Sequence, residues 1–256
     1  AVMDIMQAKK FGSSGNRIVI EEYLTGPEIS VLSFTDGKTV KPMISSMDHK
    51  RIGENDTGLN TGGMGTVAPN PYYTKEIAAE CMEKIFLPTI AAMNAEGRTF
   101  KGCLYFGLML TKKGPMVIEY NCRFGDPEAQ VVLPLLESDL LTVMQAVTEE
   151  RLAETEVKFS EKNACCVIIA SDGYPQNYKK GFEIFIPEDL SDNVYVAGAI
   201  RKDEKLLTSG GRVLGATAVM PTLAEAYHMV DRIKFEGAYC RRDIGKKALK
   251  AVEETR

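Results

Sequence analysis

The sequence has 256 residues, 45% of them hydrophobic and 26% charged, which is ordinary for a globular protein with its own core. Its formal net charge of −4, with lysine and arginine scattered along the chain, argues against broad nucleic-acid binding, which needs a basic face. The cysteines form no C-x-x-C pair, which argues against a zinc site. No apolar stretch reaches the roughly 20 residues of a membrane span, which argues against a transmembrane segment. We therefore expect a cytoplasmic protein that binds neither nucleic acid nor membrane.

The first predicted elements are a short helix and three strands. Residues 1–10 have apolar positions at helical spacing. The run RIVIEE (17–22) predicts a buried strand and EISVLSF (28–34) predicts a second. A third strand over 38–43 follows the hairpin signal Asp36-Gly37, so three strands are expected to meander here.

A long irregular segment, residues 44–71, comes next and contains the glycine-rich run NTGGMG (60–65). Irregular segments of this length in compact domains are commonly functional. Backbone N–H groups of glycine can approach an anion closely, which makes the run a candidate anion site. It matches neither the Walker pattern nor the dinucleotide pattern, and a simple turn remains the alternative.

Helices and strands alternate from residue 74 to residue 152. Thr74 is a suitable cap for a helix that continues to about Asn94. Strands are predicted over 104–110 and 116–120. The remaining two predictions are a helix that begins near Pro127 and a helix capped by Ser138 that continues to about Leu152.

The pattern changes after a charged stretch, and we place a domain boundary near residue 158, which divides the chain into 1–157 and 158–256. Residues 164–170 predict a buried strand, and short strands with hairpin signals follow through Val219. The last predicted elements are a helix over 222–233, a short strand over 238–240 and a helix from Ile244 to the end.

A strand end that precedes a turn is the first candidate binding site. Backbone groups around Glu21, Glu22 and Leu24 are placed to meet the edge of an adenine. Glu28, after the turn, is placed to accept hydrogen bonds from ribose hydroxyls. Acids at a solvated strand end are the alternative explanation.

A second candidate site follows from alternation along the strand VIEYNCR (117–123). Side chains at positions i and i+2 of a strand share a face, so Glu119 and Asn121 present two oxygens side by side, as Mg²⁺ prefers. Arg123 continues that face if the strand persists, where a guanidinium would pair with a phosphate or carboxylate. A salt bridge at the strand end is the alternative.

Several runs of the sequence resemble those of the glycinamide ribonucleotide synthetase family, within the ATP-grasp superfamily. They are IVIEEYLTGPEISVLSFTDGKTVKPM, SSMDHKRIGENDTGLNTGGMGTVAP, LYFGLMLTKKGPMVIEYNCRFGDPEAQ, TSGGRVLGATA and KFEGAYCRRDIG. The resemblance covers essentially the whole chain. It implies an α+β fold, with an ATP-grasp large lobe, the hinge and the end of the small lobe in 1–157 and a smaller C-terminal mixed α/β domain in 158–256.

The resemblance also implies a reaction, in which ATP, glycine and phosphoribosylamine give glycinamide ribonucleotide, ADP and phosphate through glycyl phosphate, with Mg²⁺ or Mn²⁺. In this implied site, Glu119 and Asn121 hold the metal, and the catalytic residues are Arg123, Asp48 and Lys50. The ATP-binding residues are Glu21, Glu22, Leu24 and Glu28. The substrate-binding residues are Arg51, Asn60, Thr61, Gly62, Gly63, Met64, Gly65 and Asp126, of which Asp126 is also a suitable cap for the helix at Pro127.

Three departures from the family pattern qualify this reading. The chain begins later than the family's sequences do, so we expect it to be inactive in isolation and to have the missing N-terminal part as a partner. The strand over 104–110 carries no acid, whereas many ATP-grasp enzymes have a metal ligand there. Residues 196–199 lack an expected histidine and threonine. The alternatives are another carboxylate–amine ATP-grasp ligase and a non-catalytic nucleotide-binding or interaction fragment.

Overall fold

The computed structural model describes residues 1–219 and 224–254. The strands are β1 (Glu28–Thr35), β2 (Val40–Pro42), β3 (Met47–Asp48), β4 (Arg51–Gly53), β5 (Thr57–Asn60), β6 (Gly65–Ala68), β7 (Gly102–Thr111), β8 (Gly114–Asn121), β9 (Ala164–Ser171), β10 (Val194–Val196), β11 (Ala199–Lys202), β12 (Lys205–Thr208), β13 (Arg212–Val219) and β14 (Ala238–Tyr239). The α-helices are α1 (Val2–Met6), α2 (Lys75–Cys81), α3 (Leu87–Ala95), α4 (Ala129–Val132), α5 (Leu140–Thr148), α6 (Ala224–Arg232) and α7 (Lys246–Glu254). A π-helical turn, Met82–Phe86, joins α2 to α3.

Two antiparallel sheets organise the fold. The first has the strand order β2-β1-β7-β8, and the second has the order β10-β13-β9-β6-β3 with β14 paired to β9. Two separate hairpins, β4–β5 and β11–β12, complete the strands of the described chain. Because β6 and β9 pair in one sheet, segments on both sides of residue 158 share hydrogen bonds, and the boundary placed there remains a prediction.

Three apolar clusters fill the spaces between sheets and helices. One lies between β1, β7 and the α2–α3 helix and is centred on Phe86 and Phe106, whose ring centroids are 4.2 Å apart. A second packs the other face of the first sheet against α4, α5 and β9, and it includes Phe34, Val131 and Ile168. The third covers the outer face of the second sheet with α6. The arrangement confirms the α+β class expected from the sequence.

Most predicted elements are confirmed with small shifts at their ends. The Thr74 hydroxyl accepts a hydrogen bond from the backbone N–H of Ile77, so Thr74 caps its helix as expected. The cap of α5 is Asp139 rather than Ser138, because the Asp139 carboxylate accepts from the N–H of Thr142 at 2.7 Å. Predicted positions 222, 223, 255 and 256 lie outside the described residues.

The strand predicted over residues 17–22 is wrong. This segment forms no ladder with any other described strand, and Val19 and Ile20 are 83% and 81% exposed. An apolar run forms a strand only where a second strand satisfies its backbone groups, and no described strand pairs with this run. The expected three-stranded meander is therefore the two-stranded pair of β1 and β2.

Among the helices of residues 1–219 and 224–254, none combines the length and the apolar character that crossing a bilayer requires.

Candidate active site

A polar cavity of about 300 Å³ forms where the ends of β3, β5 and β8 meet the loop after β8. Nine of its lining residues are sequence-predicted site residues, namely Asp48, Lys50, Asn60, Thr61, Gly62, Glu119, Asn121, Arg123 and Asp126. The two others are Tyr105 and Glu128. Segments that are up to 80 residues apart in sequence therefore converge on one cavity, as the candidate site requires.

Lys50 is the central cation of this cavity. Its Nζ lies 3.0 Å from Glu28 Oε2 and 4.0 Å from Glu119 Oε1. Burial disfavours the charged ammonium, but the carboxylates of Glu28 and Glu119 outweigh it and raise the pKa of Lys50. Lys50 therefore stays positive at neutral pH and links β1 to β8 across the cavity.

The pair Glu119 and Asn121 lies on β8 as alternation predicts, because the strand persists to Asn121. Gly107 stands opposite Glu119 on β7, and a Cβ there would lie 2.9 Å from Glu119 Cγ, so glycine leaves room for this side chain. Arg123 lies beyond the strand end, yet its Nη2 donates to Asn121 Oδ1 at 3.4 Å and its Nη1 to the Phe124 carbonyl at 2.9 Å. The three predicted side chains are thus adjacent.

Asp48 and Glu128 form a pair of acids at the inner wall. Glu128 is buried and accepts hydrogen bonds from Tyr105 Oη at 3.0 Å and from Ser30 Oγ at 3.4 Å. Asp48 Oδ1 is buried and, among the described residues, has no hydrogen-bond partner. Burial first, and then the neighbouring Glu128, raise the pKa of Asp48 well above its usual range, and burial raises the pKa of Glu128.

Sequence analysis did not assign Glu128 a role. Its place in the run GDPE was visible, but nothing local indicated that the side chain turns inward. A buried carboxyl that receives two hydroxyl donors holds a fixed orientation, which suits a site that must position small polar groups.

The glycine-rich run, residues 60–65, is tied to the rest of the protein through its backbone amides. The backbone N–H groups of the loop donate within the protein, in the pairs Thr61 to Lys50 carbonyl, Gly62 to Tyr174 hydroxyl, Gly63 to Thr61 hydroxyl and Met64 to His49 carbonyl. Met64 is fully buried in the core, and Gly65 begins β6. These four amides are therefore engaged within the protein, and anion binding by the run stays a prediction.

The glycines serve close packing. Gly63 has φ +109°, and a Cβ there would lie 2.5 Å from Pro127 Cδ and 2.7 Å from Asp48 Oδ1. A Cβ on Gly62 would lie 3.0 Å from the guanidinium carbon of Arg212. Side chains at either position would push the loop away from the cavity wall.

Arg212, at the start of β13, is a second residue that sequence analysis missed. Its Nη1 donates to the carbonyls of Gly62 at 2.7 Å and Asp126 at 2.8 Å, and lies 3.3 Å from Asp126 Oδ1. Asp126 Oδ1 also accepts from Gln130 at 3.0 Å, whereas α4 has no side-chain cap. The expectation that Asp126 caps a helix is therefore wrong, and Asp126 instead joins the loop to Arg212.

A second, larger cavity of about 660 Å³ adjoins the first and shares Asp48, Lys50 and Asn60 with it. Leu24 and Glu28, two of the predicted ATP-binding residues, line it, as does Arg51. Glu21 and Glu22 do not, because they lie in the exposed segment before Leu24, where Glu22 pairs with Lys113 at 3.2 Å. Glu28 is engaged by Lys50, so a ribose would have to compete with that contact.

The oxygen donors fit a nucleotide-bound divalent metal rather than a metal caged by protein alone. Within residues 1–219 and 224–254, no cluster of three His, Cys, Asp or Glu residues is placed to hold a metal ion. Magnesium bound with a nucleotide needs only one or two protein donors, because phosphates and water supply the rest. Glu119 and Asn121 provide such a pair beside the positive charge of Lys50.

Comparison with solved structures identifies the fold. A crystal structure of phosphoribosylamine–glycine ligase from Thermotoga maritima superposes with a TM-score of 0.80 at 34% identity, covering 88% of this chain and 57% of that one. Biotin carboxylase from Campylobacter jejuni superposes with a TM-score of 0.62 at 17% identity over 93% of this chain and 52% of that one, which is a likeness of fold alone. The fold is therefore that of an ATP-grasp protein.

Sequence comparison narrows this class to one family. Residues 1–129 match the ATP-grasp (A) domain of phosphoribosylglycinamide synthetase, and residues 164–247 match its C domain. Phosphoribosylamine–glycine ligase of Caldanaerobacter subterraneus is 48% identical over 95% of this chain and 60% of its own length. The Clostridium acetobutylicum ligase is also 48% identical, over 92% of this chain and 58% of its own. The chain belongs to the phosphoribosylglycinamide synthetase family and spans about 60% of the length of these relatives.

Proposed function

We propose that the natural protein containing this chain joins glycine to 5-phosphoribosylamine and converts ATP to ADP and phosphate. The observation that carries the proposal is the cavity in which Lys50, Glu119, Asn121 and Arg123 converge. Family membership and the activity for which the relatives are named support the same reaction.

The proposed chemistry proceeds in two displacements. A carboxylate oxygen of glycine attacks the γ-phosphorus of ATP, the bond to the bridging oxygen breaks, and ADP leaves with that electron pair. The amine nitrogen of phosphoribosylamine then attacks the carbonyl carbon of glycyl phosphate, phosphate leaves, and the nitrogen loses a proton. The products are glycinamide ribonucleotide, ADP and phosphate.

The chain's residues would act mainly by holding charges. Glycine and the triphosphate are both anionic at the reacting groups, so their approach requires cations. We assign this role to Lys50, Arg51 and Arg123, which line the two adjoining cavities. Asp48 faces the same space and would orient the glycine, while Asn60 and Thr61 would supply polar side chains.

Glu119 and Asn121 would hold Mg²⁺ or Mn²⁺, which neutralises charge on the triphosphate when it is bound. Leu24 and Glu28 would contact the nucleotide from the larger cavity. An acyl phosphate hydrolyses readily, so the proposal also requires that water be excluded during the reaction.

The test uses the full natural protein with ATP, glycine and phosphoribosylamine, and measures ADP and glycinamide ribonucleotide. We expect Glu119→Gln to lower turnover roughly 100-fold or more while the melting temperature changes little, because a metal ligand is lost. Glu183→Gln is the matched control, since Glu183 is exposed and pairs with Lys205 in a distant hairpin. Product formation with other acids or amines in place of these substrates would favour another ATP-grasp ligase. Nucleotide binding without turnover would favour a non-catalytic module.

A further inference from the structure

The run KFEGAYCRRDIG near the end of the chain has no part in the proposed chemistry, yet it lies against the hairpin that borders the site. We call residues 239–247 the clamp segment and residues 51–60, which include β4 and β5, the site hairpin. Their contacts join residues that are nearly 190 positions apart in sequence.

Arg241 is the centre of these contacts, and its side chain is completely buried. Its Nε and Nη2 donate to the two carboxylate oxygens of Asp243 at 2.8 and 2.7 Å. Its Nη1 donates to the Arg51 carbonyl and to Asp56 Oδ1, both at 3.0 Å. A buried guanidinium needs all of these acceptors, so Arg241 holds the site hairpin at both its first strand and its turn.

Further hydrogen bonds connect the same two segments. The Tyr239 hydroxyl donates to the Ile52 carbonyl at 2.9 Å, and the N–H of Asn55 donates to Asp243 Oδ2 at 2.8 Å. The N–H of Arg242 donates to Glu54 Oε1 at 3.1 Å. Lys247 also forms an ion pair with Asp56.

The site hairpin depends on these contacts because it pairs with no third strand of the described chain. Its second strand, Thr57–Asn60, is exposed along its whole length. Two-stranded hairpins are marginally stable by themselves. The hairpin nevertheless carries Arg51 and Asn60 and is joined directly to Lys50 and Thr61, all of which line the two cavities.

We infer that Arg241 is a positioning residue, through which the clamp segment fixes the site hairpin and so places Lys50, Arg51 and Asn60 for binding of the carboxylate substrate. That the clamp segment fixes the site hairpin follows from the contacts described above. That this affects substrate binding rests on the proposed function. A purely structural role would change the amount of folded protein but not the affinity of the folded site.

Hydrogen exchange of the full natural protein tests the placement. In Arg241→Gln we expect amides of residues 51–60 to exchange roughly tenfold faster or more, while amides of β7 and β9 keep their protection, because a buried ion-pair network is lost locally. Arg242→Gln is the matched control, since Arg242 is exposed and its side chain pairs with Asp231. Unchanged exchange in the hairpin of a folded Arg241→Gln variant would overturn the inference.

A second variant keeps the test decisive if Arg241→Gln does not fold. Asp56→Asn removes one acceptor charge from a partly exposed position on the hairpin and leaves the Arg241–Asp243 pair intact. We expect it to speed exchange of the same amides several-fold. Exchange identical to that of the unchanged protein would overturn the inference.

Kinetics test the consequence for the site. We expect the KM for glycine to rise at least about tenfold in Arg241→Gln, more than kcat falls, and to stay unchanged in Arg242→Gln. A fall in kcat alone would indicate a structural role and overturn the inference. If the unchanged protein does not ligate glycine at all, the proposed function fails, whereas the exchange result still decides whether the clamp segment holds the hairpin.

Discussion

Arg123 and Asp126 are only three positions apart but have different partners. Arg123 lies beside Asn121, and Asp126 pairs with Arg212 on another sheet. An arginine bridges two oxygens with fixed geometry, which a lysine does not. In the full natural protein we therefore expect Arg123→Lys to lower kcat roughly 100-fold, by analogy with the loss of one preorganised donor. Steady-state kinetics measure this. The control is Arg232→Lys, since Arg232 is partly exposed and pairs with Asp189.

Asp126→Asn is expected to have a smaller effect. Arg212 keeps its hydrogen bonds to the carbonyls of Gly62 and Asp126, so only a partly exposed ion pair at 3.3 Å is lost. We expect a loss of about 1 kcal/mol or less in the free energy of unfolding and turnover close to normal. Denaturant unfolding and kinetics measure both quantities. A dead Asp126→Asn variant beside a normal Arg123→Lys variant would reverse the two assignments.

Elements whose stability is local could be predicted from the sequence. The helix after Thr74 has its own cap, and β7 and β8 are joined by a short turn, so a few neighbouring residues define each of them. The segment 17–22 has the same kind of apolar run but is exposed, because a strand also needs a partner that the run itself does not specify. The partners of the glycine-rich loop could not be predicted for a similar reason, since the Gly62 amide donates to Tyr174, which is distant in sequence.

The loop after β5 gives a prediction about its glycines. Gly63→Ala would place a Cβ against Pro127 and Asp48 at φ +109°, so strain and overlap add. We expect a loss of about 2–4 kcal/mol in the free energy of unfolding. Gly97→Ala is the control, because Gly97 also has positive φ, +68°, but an added Cβ there meets no atom within 4 Å. Denaturant unfolding measures both variants, and equal losses would contradict the role assigned to packing.

At the scale of the whole molecule, some residues of the candidate site can be predicted from the sequence, and others are brought to it only by the fold. Alternation along β8 predicts that Glu119 and Asn121 are neighbours, and Arg123 follows just after the strand end. Glu128 and Arg212 reach the same region through a buried turn and a strand of the second sheet. Neither has a local pattern that marks it, because long-range packing decides where each side chain points.

His49 lies between β6 and the clamp segment, and it makes the stability of the protein depend on pH. It is buried beside the clamp segment, where its Nε2 accepts from the N–H of Gly245 at 3.2 Å and its Nδ1 lies 3.1 Å from the Gly65 carbonyl. This pattern assigns the neutral ring with the proton on Nδ1. Burial, and then the positive charge of Arg241, lower the pKa of His49 from 6.5 to about 4, against the opposite effect of Asp56 and Asp243.

The sign of the effect follows from proton binding. Between pH 6.5 and about 4 the unfolded chain takes up a proton at His49 that the folded protein does not, so the free energy of unfolding falls as the pH falls. Over that window the loss attributable to His49 is about 3 kcal/mol. Asp48 and Glu128 act in the opposite direction because their pKa values are raised, so the comparison must isolate one residue.

Denaturant unfolding of the unchanged protein and of His49→Gln at pH 7, 6, 5 and 4 isolates the contribution of His49. We expect the difference in the free energy of unfolding between the two proteins to shrink as the pH falls, because only the unchanged protein loses the stability of the neutral ring. His228→Gln is the control, since His228 is exposed on α6, and it should keep the pH dependence of the unchanged protein. A difference that stays constant from pH 7 to pH 4 would mean that the pKa of His49 is the same in the folded and unfolded protein, and would contradict this prediction.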